Sequence, residues 1–224
     1  MNALRRSFVI VAAGLAGTFL LAGCELTPDL NDPVRFGPYY APRNFAGEKQ
    51  MPAEVRRVLV LPVALGALGP EETAITLDAA VTQALQVQQR FEVVSLPRAE
   101  LRRLFGTAEI SSTAALPHGM LDELAKRFAV DAVLFTDVTV YQPYRPQSIG
   151  LRSKLATTRD VRLVWTFDEV ISASDPAVAN SARRQPFVEA QGRSPVDLSP
   201  ATLLSPSRYA AFAAGEMFRT LPPR

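Results

Sequence analysis

The sequence predicts an α/β fold: a single mixed-sheet domain in which a βαβ crossover is followed by helices and an antiparallel three-strand meander, with a C-terminal helix packed on the sheet. Three observations lead there. Val55–Val63, Glu71–Gln89 and Phe91–Ser95 read as apolar run, amphipathic stretch and apolar run. Strand, helix and strand within about forty residues imply a right-handed crossover and a parallel pair. Three further strand-like segments, Asp131–Tyr141, Ile149–Leu155 and Val161–Phe167, are joined by short links, the pattern of a meander. Last, Ser207–Leu221 places Tyr209, Phe212, Ala213 and Met217 on one helical face, a stripe that needs a sheet to cover it.

The chain opens outside that domain. Arg5 and Arg6 precede an apolar run from Ser7 to Ala22, and the run closes on Leu21-Ala22-Gly23-Cys24. A basic stretch, an apolar stretch and small residues before a cut site make a secretory signal. The Leu-Ala-Gly-Cys ending resembles the lipobox of bacterial lipoproteins. That resemblance implies that residues 1–23 are removed, that Cys24 becomes an acylated N-terminus, and that a membrane is one partner. A transmembrane anchor needs roughly 20 apolar residues; this run has sixteen, with Gly14, Gly17 and Thr18 inside it. Cys24 is the only cysteine, so no disulfide forms within the chain. Arg5-Arg6-Ser7-Phe8-Val9 also resembles the twin-arginine export signal, although an ordinary basic leader is the simpler reading. Glu25 follows the cysteine, where an aspartate would resemble an inner-membrane retention signal. The expected address is therefore the inner leaflet of an outer membrane, facing the periplasm.

Charge agrees with that division. The chain has 24 Lys and Arg against 22 Asp and Glu, and the leader holds two of the arginines and no acid. Without residues 1–23 the balance is 22 against 22, which gives no electrostatic footprint for nucleic acid. The remaining chain, about 200 residues with 48% apolar content overall, is long enough to bury a core.

From Glu25 to Pro52, five prolines (Pro28, Pro33, Pro38, Pro42 and Pro52) are expected to break any regular element. Residues 24–53 then read as a tether, reaching about 90 Å at the polyproline rise. Phe36, Tyr39, Tyr40 and Phe45 within it either pack back onto the domain or serve a partner. The domain, residues 54–224, begins with the apolar run Val55–Val63. The helix over Glu71–Gln89 carries Ile75, Leu77, Val81, Ala84, Leu85 and Val87, with Glu71 and Glu72 suiting its dipole. Pro97–Phe105 is a short helix closed by Gly106, and Thr107–Pro117 a small, polar, mobile loop. Gly119–Phe128 aligns Leu121, Leu124, Ala125 and Phe128. Asp131–Tyr141 shifts from continuous apolar to alternating, as a strand does when one end is buried on both faces and the other on one. Thr157–Asp160 turns the chain between the last two meander strands. Asp175 caps a helix that has Pro176 at its first position and ends near Arg184, and Ser205-Pro206 repeats that signal.

This order, with Leu59-Val60-Leu61-Pro62, Arg90-Phe91-Glu92-Val93-Val94 and the segment Leu124–Leu134 feeding a long strand, resembles the CsgG/LpoB/TolB-N-terminal type of domain over Val55 to Ser172. Trp165-Thr166-Phe167-Asp168-Glu169-Val170 stands where such domains carry a less acidic core strand. The resemblance implies an envelope lipoprotein whose relatives include secretion-pore subunits and regulators of cell-wall synthases.

Chemistry is sparse. His118 is the sole histidine and lacks carboxylate or thiolate neighbours at metal-ligand spacing. It is also the only imidazole that could activate a serine, and no Gly-X-Ser-X-Gly elbow or glycine-rich nucleotide loop is present. Asp168 and Glu169, as strand neighbours, point to opposite faces, and an Asp168–Asp175 pair is the remaining glycosidase-like option. The expectation is no enzyme, no cofactor and no metal. Tyr141, Tyr144 and Arg145, flanked by Pro143 and Pro146, are the candidate partner-binding surface, because aromatics and arginine dominate binding hot spots. An aromatic corner over the sheet edge is the alternative. The expected role is a lipid-anchored, non-catalytic interaction or accessory module of a cell-envelope complex, in cell-wall synthesis or secretion. The alternative is an oligomeric pore or transport subunit like CsgG. Against a pore, Ile149–Leu155 is shorter than the roughly 9–11 residues of a membrane strand and carries Arg152 and Lys154.

Overall fold

The computed structural model describes residues 33–189 and 201–224, in two compact units that meet between Phe36 and Gly37. The leader and Cys24 lie outside the described residues. Of the first unit the helical turn Pro33–Phe36 is described. No described helix is long and apolar enough to cross a membrane.

In the second unit six strands make one mixed sheet: β1 (Phe45–Gly47), β2 (Arg57–Val60), β3 (Glu92–Ser95), β4 (Ala132–Gln142), β5 (Ser148–Thr157) and β6 (Leu163–Ser172). Their order is β1-β6-β5-β4-β2-β3. The first crossover runs through α1 (Glu71–Val87) and leaves β2 and β3 parallel, as the sequence predicts. Helices α2 (Arg98–Phe105) and α3 (Met120–Phe128) lead to β4, parallel to β2 on its other side. The meander β4-β5-β6 is antiparallel throughout. Helices α4 (Pro176–Glu189), α5 (Ala201–Leu204) and α6 (Pro206–Phe218) complete the unit.

Two cores lie on opposite faces of the sheet. On the first, Leu77, Val81 and Leu85 of α1 and Phe212, Met217 and Phe218 of α6 cover Val58, Val60, Leu134, Leu151, Trp165 and Phe167. Trp165 stacks near Phe167 and Phe218, and its indole N–H donates to Thr220 Oγ1 at 3.0 Å. On the second, Leu101, Met120, Leu121 and Leu124 cover Leu59, Leu61, Val133 and Phe135. Strand β2 and the first half of β4 are thus buried on both faces, which is why they read as unbroken apolar runs. Beyond that half the second face carries Arg152, Lys154 and Asp168, and the pattern alternates.

The helix ends follow their local signals. Gly106 closes α2 at φ 75°, a left-handed position that suits glycine. Asp175 Oδ1 accepts from Ala177 N at 2.8 Å, and Ser205 Oγ accepts from Arg208 N at 3.4 Å with Pro206 at the first position.

Several expectations need correction. Strand β5 spans ten residues, Ser148–Thr157, rather than Ile149–Leu155, so its length does not set it apart from a membrane strand. The proline-rich stretch does form a strand: β1 pairs with β6, Phe45 opposite Phe167 and Gly47 opposite Trp165. Tyr40 N donates to Ser181 Oγ at 2.8 Å, and Met51 N donates to Pro223 O at 2.7 Å. These anchors come from the far end of the chain, where no local pattern signals them. The last meander strand runs on to Ser172 instead of stopping at Phe167, because both acids that break its apolar pattern have partners. The loop after Gly106 is tied down rather than mobile: Glu109 accepts from Leu65 N and Gly66 N, and Ser112 donates twice to Asp137. Helix α4 continues past Arg184, and α5 lies in what reads as loop. Finally, Ile75 and Val87 of α1 face outward, and Ala74 and Ala80 join the expected Leu77, Val81, Ala84 and Leu85 on the core side.

Candidate functional site

The β4–β5 turn holds two of the three surface candidates. Tyr144, 82% exposed, projects from it, and Arg145 beside it is also exposed. The turn is braced from within. Gln147 is buried and donates its Nε2 to Pro143 O at 3.1 Å, while its backbone carbonyl accepts from Ala173 N at 2.8 Å. Arg145 Nε reaches Leu203 O at 3.4 Å, linking the turn to α5. Tyr141 is placed differently. It sits on β4 opposite Ile149, packs against the first core, and its phenol is pushed up by burial. The structure therefore joins Tyr144 and Arg145 and sets Tyr141 behind them as a support.

The acidic candidates separate as strand geometry requires. Asp168 pairs with Arg152 Nε at 2.7 Å on the second face. Glu169, on the other face, accepts from Arg43 N at 2.8 Å and Asn44 N at 3.2 Å. Asp175 is occupied as a helix cap. His118 is exposed in the approach to α3. Among the described residues no group of three His, Cys, Asp or Glu has metal-binding proximity.

Two polar clusters escape a sequence reading. Arg98, 8% exposed, donates to Asp78 at 2.7 and 2.9 Å, to Val63 O at 2.6 Å and to Glu109 at 3.3 Å. Burial raises the Asp78 carboxyl, and its bonds to Arg98 and Val63 only partly offset this. The second lines a groove of about 620 Å³ between Tyr39–Tyr40, α4 and α6. The Arg184 guanidinium stacks 4.4 Å from the Tyr39 ring centre. Burial holds Glu216 above the ordinary carboxylate value although Arg219 pairs with it at 2.9 Å. Tyr40 is pushed far up, first by burial and then by the Glu169 carboxylate, and its hydroxyl has no hydrogen-bond partner of good geometry. The one sequence hint was the density of aromatics before residue 46.

Compared with known proteins, the chain matches no protein-family model and no curated protein sequence. Similar solved structures include the PelC dodecamer from Paraburkholderia phytofirmans, with TM-score 0.48 and 14% identity, covering 81% of this chain and 97% of that one. Lipoprotein GNA1162 from Neisseria meningitidis has TM-score 0.36 and 20% identity, covering 52% of this chain and 79% of that one. The C-terminal domain of LpoB from Escherichia coli has TM-score 0.34 and 19% identity, covering 53% and 83%.

Proposed function

We propose that this chain is a lipid-anchored, non-catalytic accessory module of a bacterial cell envelope. Acylated Cys24 holds it at a membrane, and the β4–β5 turn docks on a protein of an envelope complex. The membrane in this reading is the outer one, with the domain facing the periplasm. Tyr144 carries the docking half of the proposal: a large aromatic ring stands almost fully in water on a turn that is fixed by Gln147 and Arg145. A turn already held in place loses little backbone entropy when a partner covers it, and Tyr and Arg are the residue types that concentrate binding energy. The Leu21-Ala22-Gly23-Cys24 ending supports the anchor.

The test is the double substitution Tyr144→Ala with Arg145→Ala, followed by crosslinking in intact envelopes and pull-down. Partner recovery should fall while the melting temperature changes little, since Tyr144 and Arg145 are exposed, the bond lost from Arg145 to Leu203 O is long at 3.4 Å, and Gln147 still braces the turn. Unchanged recovery sinks the docking surface.

A further inference from the structure

Strand β3 ends the sheet, and among the described residues no strand pairs with its outer side. Glu92 N donates to Arg56 O at 2.9 Å and Leu96 N to Val60 O at 3.0 Å. Even-numbered residues therefore face β2, and alternation turns the N–H and C=O of Val93 and Ser95 outward. Such a row is a template for another strand; β3 is short and carries the exposed Glu92, but it has no proline, no lysine and no bulge.

Helix α1 packs beside this edge. Its outer side presents Ile75, Ala79, Gln83 and Gln86, with Ile75 55% exposed. Between Glu72 and Arg90 the one charged residue is Asp78, already bound by Arg98 and by Val63 N. A surface helix ordinarily carries charge opposite its core face; this one shows water an uncharged stripe. A groove of about 570 Å³ runs between that stripe and Ser95–Pro97.

We infer that β3 and the α1 stripe form a self-association surface for a second copy of this chain, β3 against β3, antiparallel about a two-fold axis at Val94. In that register Val93 of each copy stands opposite Ser95 of the other, so every outward N–H and C=O of the strand is used. Other symmetric registers leave one of those residues facing chain outside β3. Glu92 falls opposite Leu96 rather than a second Glu92, so like charges do not meet along the strands. The two-fold axis also brings both α1 stripes to the same face of the joined sheet, neutral against neutral. A partner bearing charge finds no free counter-charge there, because Asp78 is taken. The stripe matches itself, which is what an interface between identical copies demands.

Val94 gives a direct test, because it forms the non-hydrogen-bonded pair at the axis. Such pairs hold their Cα atoms about 4.5 Å apart, within the range that a disulfide bridges. The full chain with Val94→Cys, gently oxidised in its native membrane, should run as a reducible dimer on electrophoresis. The unsubstituted chain, with Cys24 alone, should not. Adding Ala79→Glu sets like charges against each other across the stripes and should cut the dimer several-fold. Absence of the dimer, or a dimer indifferent to Ala79→Glu, overturns the inference. Ala79→Glu alone covers the case in which Val94→Cys does not fold, since Ala79 is exposed. Light scattering in detergent should then show two chains for the unsubstituted protein and one for the variant. An unsubstituted protein found as a monomer, as expected if the edge serves a strand from another protein, also overturns it.

Discussion

Arg98 has a partner for each guanidinium nitrogen, and two of those partners are carboxylates that are partly screened from water. Arg98→Met keeps the apolar stem and deletes the charge, which strands Asp78 beside the single N–H of Val63. Breaking a buried pair costs about 3–5 kcal/mol, and the partial exposure of Asp78 lowers the expected loss to about 2–3 kcal/mol in urea unfolding. A loss below about 0.5 kcal/mol, the range of neutral surface changes, refutes the structural role. Glu216 makes a prediction of its own. Its folded pKa lies above the ordinary value of 4.5 because it is buried. A carboxyl with a raised folded pKa contributes stability below its unfolded pKa and loses that contribution as pH rises through the folded value. Above pH 4.5 this group should therefore weaken the fold as pH rises, opposite to an acid whose partners lower its pKa. Glu216→Gln should flatten that part of the stability profile, and an identical profile in both proteins contradicts it.

Among the elements, β1 is the one whose existence depends on side chains far away in sequence. The Glu169 carboxylate accepts two backbone N–H groups just before β1, and Asp168 N donates to Asn44 O at 3.0 Å. Glu169→Ala removes the first two bonds. The site is exposed, so the loss should be about 1 kcal/mol, confined to this edge. Hydrogen exchange should speed up over residues 44–48 and remain unchanged in β4; uniform change across the sheet would mean a global effect instead. Elements marked by local chemistry were legible in the sequence. Continuous apolar runs marked β2 and β4, Asp175-Pro176 and Ser205-Pro206 marked two helix starts, and Gly106 marked a helix end. Strand β1 was not legible, because three residues carry no periodicity and its anchors lie more than a hundred residues away. The outward turn of Ile75 and Val87 was hidden for another reason. Small alanines, not large apolar residues, let α1 approach the sheet and α6, and a reading weighted by side-chain size picks the wrong neighbours.

At the scale of the whole molecule, the clusters missed by sequence reading are those assembled by the fold. Asp78, Arg98 and Glu109 come from three separate segments, as do Tyr39, Arg184 and Glu216. That Tyr144 and Arg145 share one exposed turn was legible because they are adjacent and flanked by prolines. The fold also changes the reach of the proposed anchor. Residues 37–53 belong to the second unit, so thirteen residues, Cys24 to Phe36, remain to serve as tether. That is fewer than half of the thirty residues, 24–53, that the sequence assigns to the tether. A short tether raises the effective concentration of the docking surface at a membrane-bound partner. Cys24→Ser should accordingly move the chain from the membrane fraction to the soluble one, end palmitate labelling, and leave the melting temperature unchanged. Partner recovery should fall even with Tyr144 and Arg145 intact, whereas the Tyr144→Ala, Arg145→Ala chain should lose its partner and stay on the membrane. If Cys24→Ser remains in the membrane fraction, something other than that thiol holds the protein there, and the anchor reading fails while the docking surface stands on its own test.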